Sequence, residues 1–171
     1  PVGEVVDVPG DDLLAGAALA LDQHGRVGGG HVLGQEAGGV RAIERNLAKG
    51  IQLGKLTEAD RDSTLQHIHG TTQLAEVANA DLIIEAAPER LDLKQEILRE
   101  VGRHSSKAFI FASNTSSLSI TEIAKASDRP AQVVGMHFFN PAPVLQFVEV
   151  IRTVVTEDEV FEDIKALAIR L

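Results

Sequence analysis

The sequence contains no cysteine, no tryptophan and no tyrosine among its 171 residues. The absence of cysteine excludes disulfides, thiolate nucleophiles and cysteine metal sites. Basic residues are also in the minority: 16 Lys and Arg stand against 25 Asp and Glu, which gives a formal net charge of −9. Sequence-independent binding to nucleic acid or to an anionic membrane needs a basic face, so both partners are disfavoured. An anionic ligand would have to be held by local cations or backbone amides.

Long apolar runs are missing as well. None approaches the ~20 residues of a membrane-spanning helix. The amino terminus, PVGEVVD, has neither the basic region nor the apolar core of a signal peptide. We therefore predict a cytoplasmic protein without membrane contact, and the chain length predicts one globular domain over residues 1–171.

The glycine signature of a dinucleotide-binding turn is missing from its usual place. Residues 2–8, VGEVVDV, predict a first strand, and residues 11–25 predict a helix. A dinucleotide-binding fold places G-x-G-x-x-G between these elements, because glycines let the backbone approach the pyrophosphate. Here the turn holds one glycine, Gly10, followed by two acids that would repel a pyrophosphate. The glycines within residues 28–34 follow the predicted helix, and a distorted second strand is their favoured interpretation. Residues 1–36 are thus atypical.

The middle of the chain alternates helix and strand patterns. Apolar residues three or four apart predict a helix from about Val40 to Ile51. Thr57 and Asp60 have the spacing of a capping box for a helix that reaches Gln66. A short strand, a short helix, a strand at residues 82–84 and a helix from residue 91 follow. His67 and His69 form H-x-H without further ligands nearby, so no metal site is predicted.

Two strong strand patterns lie further along the chain. Residues 108–113, AFIFAS, form a continuous apolar run, which is typical of a strand covered on both faces in a parallel sheet. This run ends in the hydroxyl-rich residues 113–117, SNTSS. Residues 132–138, QVVGMHF, predict the next strand and carry His137 near its end. Ligands of open α/β sheets bind at the carboxyl ends of strands, so we expect a site here.

A third strand pattern, residues 147–151, contains one carboxylate, Glu149, in the otherwise apolar FVEVI. Burying a carboxylate is costly unless something pairs with it. His137 is the natural partner, because a carboxylate on one ring nitrogen fixes the tautomer and leaves the other nitrogen as a base. Ser116 of the hydroxyl-rich cluster would then hold a substrate hydroxyl or carbonyl beside that nitrogen.

These segments, SNTSSLSIT, GMHFFNPAPV and FVEVI, occur in an order and spacing that point to one family. From about Asp81 to its end, the chain resembles the nucleotide-binding domain of the 3-hydroxyacyl-CoA dehydrogenases. The resemblance implies an α/β fold of Rossmann type, with a doubly wound, mostly parallel sheet and flanking helices. It also implies NAD as cofactor and oxidation of an L-3-hydroxyacyl-CoA to the 3-ketoacyl-CoA, in fatty-acid or related acyl-CoA metabolism.

The resemblance assigns roles to individual residues. His137 and Glu149 match the catalytic dyad, and Ser116 matches the serine that contacts both substrate and cofactor. Asn140 matches an asparagine beside the cofactor and the substrate. Glu89 and Lys94 match residues on the cofactor side, although an ordinary charge pair at a helix start is the alternative interpretation. Without the neighbouring motifs, Ser116 would be interpreted as a turn residue or a helix N-cap, which is the alternative to its functional role.

The helix that begins near Val40 corresponds to one that helps to bind CoA in the family. Arg41, Arg45 and Lys49 are its candidate cations, and a solvated helix face is the open alternative. Glu36 follows the predicted second strand, where a dinucleotide-binding fold places the acid that binds the ribose.

The family also has a second, all-helical domain, which completes the acyl-CoA pocket and forms most of a homodimer interface. That domain is absent from these 171 residues, so we expect this domain alone to be weakly active or inactive. A different class of function remains open as well: a non-catalytic nucleotide- or CoA-binding or assembly module that keeps the dehydrogenase fold. Cofactor affinity distinguishes the two.

Overall fold

The computed structural model describes residues 2–7, 20–21, 30–33, 36–71, 74–78, 80–140, 142, 145 and 147–171. Its strands are β1 (Val2–Asp7), β2 (Ala20–Leu21), β3 (Gly30–Leu33), β4 (Ile68–Thr71), β5 (Leu82–Glu85), β6 (Ile110–Ser113), β7 (Val133–Phe138) and β8 (Phe147–Arg152). Its helices are α1 (Glu36–Gln52), α2 (Glu58–Gln66), α3 (Leu74–Val77), α4 (Leu91–His104), α5 (Ile120–Ala124) and α6 (Asp158–Arg170). Among the described residues, every helix is too short or too polar to span a bilayer.

Six strands form the main sheet, in the order β1-β8-β7-β6-β5-β2, and β3 and β4 form a separate parallel pair. Strands β5, β6 and β7 run parallel to one another, whereas β8 is antiparallel to β7. The α/β class with flanking helices is confirmed, but the sheet is mixed rather than mostly parallel. The physical reason is the short connection between β7 and β8, because a parallel return needs a crossover of a dozen or more residues.

The amino-terminal strand forms, but not where a dinucleotide-binding fold would place it. Strand β1 pairs antiparallel with β8 at the outer edge of the sheet. The neighbour of β5 on its other side is the two-residue β2, which is also antiparallel. Because β2 lies within residues 11–25, the helix predicted there is wrong at residues 20–21. The turn at Gly10 lies outside the described residues.

The core lies on both faces of the sheet, because successive residues of a strand point to opposite sides. On one face, Ile164 and Leu167 of α6 pack with Ile84 and Met136. On the other face, Leu98 and Val101 of α4 pack with Ile83, Phe111 and Ile123. The sheet is thus covered on both faces, as the continuous apolar runs of β5 and β6 predict.

Two predicted helix caps have different outcomes. Helix α2 ends at Gln66, and Thr57 and Asp60 form the predicted capping box in full. The same spacing at Thr156 and Glu159 predicts a box for α6, and this prediction is wrong. The N-cap residue of α6 is Glu157, which makes no side-chain capping hydrogen bond, and the buried hydroxyl of Thr156 donates to the backbone oxygen of Val133 at 2.9 Å.

Candidate active site

The candidate site lies where the parallel strands β5, β6 and β7 end. Because these strands are adjacent and parallel, their last residues Glu85, Ser113 and Phe138 share one edge of the sheet. Strand β8 is antiparallel and begins at that same edge, so its Glu149 lies beside the end of β7. In open α/β sheets this edge is the one that binds ligands.

His137 and Glu149 form a hydrogen-bonded pair. They are directly opposite in the β7–β8 ladder, and His137 Nδ1 lies 2.7 Å from Glu149 Oε2. An ionised carboxylate can only accept a hydrogen bond, so the proton of the neutral imidazole sits on Nδ1. His137 Nε2 is therefore left as a proton acceptor. The imidazole is 18% exposed and the carboxylate 36% exposed, so both side chains remain open to a ligand.

The ring of Phe139 contacts the imidazole. The two ring centroids are 4.9 Å apart, with the planes tilted by 45°. Two aromatic rings at this distance and tilt attract each other. Phe139 therefore restricts the orientation of His137, in addition to the restriction that Glu149 imposes.

Glu89 anchors the hydroxyl-rich loop that follows β6. Its Oε1 accepts hydrogen bonds from the Thr115 hydroxyl at 2.6 Å and from the Ser117 backbone and hydroxyl at 3.0 and 3.1 Å. The Ser116 backbone N–H also donates to this oxygen, at 3.1 Å. Glu89 Oε2 has a different environment, 3.7 Å from Lys94 Nζ. One oxygen of the carboxylate thus holds the loop, and the other faces a cation.

The loop keeps Glu89 ionised. Burial by itself would raise the pKa of Glu89, but hydrogen bonds from Thr115 and Ser117 and the charge of Lys94 outweigh it and lower the pKa from 4.5 to about 2. Hydrogen bonds to the charged form of a carboxyl favour that form. At neutral pH the site therefore carries a fixed negative charge next to the serine hydroxyls.

Lys94 and Glu85 form a buried ion pair beneath this loop. Lys94 is 0% exposed and Glu85 is 2% exposed, with Nζ 2.8 Å from Oε1. Lys94 also donates to the backbone oxygen of Ala87 at 3.0 Å, and the Ser113 hydroxyl donates to Glu85 Oε2 at 2.6 Å. Lys94 is thus a satisfied core residue that lies behind Glu89, and not an exposed charge at a helix start.

The structure places the other predicted site residues as follows. Ser116 is exposed on the loop, and its hydroxyl lies 3.4 Å from Glu89 Oε1. Asn140 is exposed just beyond β7. Glu36 is the first residue of α1, and Arg41 and Lys49 are exposed on that helix, which packs against β3, β4 and α2. The roles of all five remain predictions.

Sequence reasoning assigned no role to three residues that build this site. Glu85, Ser113 and Asn114 connect the ends of β5, β6 and β7. A signal for Glu85 was present, because a carboxylate at the end of the buried strand LIIE requires a partner. Asn114 carried no such signal, because its partner is a backbone N–H.

The chain is similar to proteins of one known family. Residues 34–171 match the family described as "3-hydroxyacyl-CoA dehydrogenase, NAD binding domain". The first 33 residues lie outside that match. The cofactor of the family is NAD.

Individual relatives point the same way. The chain is 46% identical over 121 residues to the "Probable 3-hydroxybutyryl-CoA dehydrogenase" of Deinococcus radiodurans, covering 71% of this chain and 43% of that protein. It is 41% identical over 129 residues to the 3-hydroxybutyryl-CoA dehydrogenase of Clostridioides difficile, covering 73% of this chain and 46% of that protein. The chain therefore spans less than half the length of these curated relatives.

A solved structure confirms the Rossmann-like fold. The crystal structure of (S)-3-hydroxybutyryl-CoA dehydrogenase from Ralstonia eutropha superposes with a TM-score of 0.74 at 41% identity, covering 78% of this chain and 47% of that one. Together, these similarities support the dehydrogenase interpretation over a non-catalytic module. The chain belongs to the family of NAD-binding domains of the 3-hydroxyacyl-CoA dehydrogenases.

Proposed function

We propose that the chain is the NAD-binding and catalytic-dyad part of an L-3-hydroxyacyl-CoA dehydrogenase of acyl-CoA metabolism. The reaction is the oxidation of a 3-hydroxyacyl-CoA to the 3-ketoacyl-CoA. The observation that carries this proposal is the 2.7 Å contact between His137 Nδ1 and Glu149 Oε2, because it leaves Nε2 as a base at the ligand-binding edge of the sheet.

His137 is the general base in this mechanism. Its Nε2 takes the proton of the substrate 3-hydroxyl, and Glu149 stabilises the imidazolium that results. The Ser116 hydroxyl, exposed on the loop that Glu89 holds, binds the reacting oxygen. The oxidation at C3 would use the nicotinamide of a bound NAD as its hydride acceptor.

The residues at this edge fit the nicotinamide side of such a cofactor. Glu89 is ionised, and its Oε2 is the oxygen that does not hold the serine loop, so this oxygen can accept a hydrogen bond from a hydroxyl of the cofactor. Lys94 supports that carboxylate from within the core, and Asn140 is exposed beyond β7. Glu36 at the start of α1 is the proposed partner of the ribose, as in other dinucleotide-binding folds.

The exposed cations of α1 are the proposed contacts of the CoA phosphates. Arg41 and Lys49 both lie on the solvent side of this helix. With a net charge of −9, the chain as a whole does not attract an anionic substrate, so local cations are needed. We further propose that the full-length dehydrogenase to which such a domain belongs is a homodimer in the cytoplasm. Light scattering would test the dimer, and cell fractionation would test the location.

Titration with NADH tests the cofactor half of the proposal. The chain has no tryptophan, so the fluorescence of the nucleotide is observed without indole emission. We expect saturable binding, weakened by about tenfold or more in Glu89→Gln, because hydrogen bonds to a charged group contribute about 1.5–3 kcal/mol. Glu96→Gln removes the same charge from an exposed position of α4 and is expected to bind like the unmodified chain. Absence of saturation at about 1 mM NADH would contradict the proposal.

Turnover tests the catalytic half. With the family's helical domain supplied alongside the chain, NADH formation from 3-hydroxybutyryl-CoA is expected to fall by about 10²-fold or more in His137→Gln, because general-base catalysis contributes at least that much. His104→Gln, at an exposed position of α4, is the matched control. Equal rates in the two variants would contradict the role of His137.

A further inference from the structure

The backbone of β7 extends beyond its partner β6 at the candidate site. The β6–β7 ladder pairs Phe111 with Val133, Ala112 with Val134 and Ser113 with Gly135. His137 and Phe138 lie beyond the last of these pairs, so β6 offers them no strand partner. On the other side, β8 continues, and Phe138 is opposite Val148.

A side chain takes the place of the missing strand. The backbone N–H of Phe138 donates to Oδ1 of Asn114 at 2.9 Å. Asn114 is the first residue after β6 and is half-buried. Its acceptor oxygen therefore continues the pairing of β7 on the β6 side, immediately after His137.

Asn114 is itself held from the opposite direction. Its backbone N–H donates to the backbone oxygen of Glu85 at 2.7 Å. Its neighbours in the chain, Ser113 and Thr115, donate their hydroxyls to Glu85 and Glu89. Asn114 thus connects the carboxylate side of the site, at the end of β5, with the dyad side, at the end of β7.

We propose that Asn114 is a positioning residue for the catalytic dyad, because its Oδ1 holds the β7 backbone at Phe138, directly next to His137. The catalytic consequence rests on the proposed function. Without this hydrogen bond, among the residues that the structure describes, the strand partner that remains for the end of β7 is β8, through the ladder pair of Phe138 with Val148, through Phe139 N–H to Phe147 O at 3.4 Å and through the dyad itself. His137 and Glu149 then keep their contact but lose their fixed placement relative to Ser116.

Two variants of similar shape separate the acceptor from the rest of the side chain. Asn114→Leu removes the acceptor oxygen, and Asn114→Asp keeps one. We expect the Phe138 amide to exchange with solvent about five- to tenfold faster in Asn114→Leu, the effect of losing one ordinary hydrogen bond. In Asn114→Asp its exchange is expected to stay slow. The Val134 amide, inside the β6–β7 ladder, is the internal control.

The unmodified chain provides a measurement that needs no variant. Scalar coupling across the hydrogen bond, between the Phe138 amide nitrogen and the Asn114 side-chain carbonyl carbon, is expected. Absence of this coupling, or unchanged Phe138 exchange in Asn114→Leu, overturns the proposal. If Asn114→Leu does not fold, Asn114→Asp decides: slow Phe138 exchange supports the proposal, and fast exchange overturns it.

Kinetics distinguish positioning from general stability. We expect Asn114→Leu to bind NADH like the unmodified chain and to keep the Nδ1–H tautomer of His137, while kcat falls. Recovery of kcat in Asn114→Asp supports the proposal, and unchanged kcat in Asn114→Leu overturns its catalytic part. If the unmodified chain does not bind NADH and stays inactive when the helical domain is supplied, the proposed function fails, and the coupling and exchange measurements still decide whether Asn114 holds β7.

Discussion

His137 and Glu149 face each other across the antiparallel pair β7–β8, with His137 Nδ1 and Glu149 Oε2 2.7 Å apart. The two residues share a rung of the ladder, so the strand register itself brings the imidazole and the carboxylate together. Residues opposite each other on one face of such a pair have their Cβ atoms about 4.5–5.5 Å apart. A one-residue slip of β8 would turn Glu149 to the other face and break the pair.

Replacing the carboxylate of the dyad is expected to remove its control over the tautomer. In Glu149→Gln the amide group can donate as well as accept, so His137 is no longer held with its proton on Nδ1. We expect a mixture of Nδ1–H and Nε2–H tautomers in long-range proton–nitrogen spectra. The rate of NADH formation is expected to fall by about 10²-fold or more.

Glu159→Gln is the control for this change, because Glu159 is an exposed carboxylate on α6. It is expected to leave both the tautomer and the rate unchanged. A pure Nδ1–H tautomer in Glu149→Gln would show that the carboxylate is not what fixes the imidazole.

Breaking the buried ion pair is expected to destabilise the fold strongly. Lys94→Met leaves Glu85 charged and nearly inaccessible to solvent, and removing one partner of a buried pair costs about 3–5 kcal/mol. The free energy of unfolding from urea denaturation measures this loss. Adding Glu85→Gln removes the unpaired charge, so the double variant is expected to be more stable than Lys94→Met alone.

Lys125→Met provides the surface comparison. Lys125 pairs with Glu122 at 2.6 Å, and its side chain is 63% exposed. Exposed pairs contribute about 0–1 kcal/mol, so this variant is expected to change stability little. Equal losses in Lys94→Met and Lys125→Met would contradict the structural role of the buried pair.

Glu89 is expected to make stability depend on pH in the acidic range. Its pKa is about 2 in the folded chain, against an ordinary value of 4.5, so the unfolded chain binds more protons between these values. Stability therefore rises with pH across this window. The contribution of Glu89 is complete above pH 4.5 and is lost as pH falls towards 2.

Urea denaturation at a series of acidic pH values tests this dependence. Glu89→Gln is expected to show a shallower rise of the free energy of unfolding with pH than the unmodified chain. Glu96→Gln, exposed on α4, is expected to keep the original slope. An unchanged slope in Glu89→Gln would argue against the hydrogen bonds from the serine loop.

Two glycine substitutions are expected to have opposite effects. A Cβ at Gly135 would lie 3.0 Å from side-chain atoms of Ile120 and Ile151, so Gly135→Ala overpacks the core next to the dyad. Such overpacking costs about 1–3 kcal/mol. Gly102 lies within α4, and a Cβ there meets no atom within 4 Å. Gly102→Ala is therefore expected to stabilise the chain by about 0.5–1 kcal/mol.

Thermal unfolding of both glycine variants measures these changes. A small effect of Gly135→Ala would mean that Ile120 and Ile151 move aside without cost. In that case β7, which carries both Gly135 and His137, would be less tightly packed than the structure indicates.

Much of the fold was predictable because its signals are local. The continuous apolar run of β6 predicts a strand buried on both faces, and Thr57 with Asp60 predicts the start of α2. The dyad was predictable for a similar reason, because a carboxylate inside an apolar strand needs a partner and His137 is the nearest strand-end imidazole. Each of these inferences depends on a few residues close in sequence.

Other features depend on which surfaces meet after folding. The sequence predicts β1 as a strand, but its pairing with β8 depends on which sheet edge is open. The burial of Lys94 depends on α4 packing over the end of β5, and the sequence spacing of Lys94 and Glu89 does not reveal it.

The sequence by itself determined most of the secondary structure from about residue 36 onward, the pairing of His137 with Glu149 and the family. Only the tertiary structure decided that Lys94 pairs with Glu85, that Glu89 holds the serine loop and that Asn114 supports Phe138. The physical reason is that the first group of features follows from residue type and local spacing. The second group consists of hydrogen bonds and ion pairs among the ends of β5, β6 and β7, and parallel strands bring these ends together only when the sheet forms.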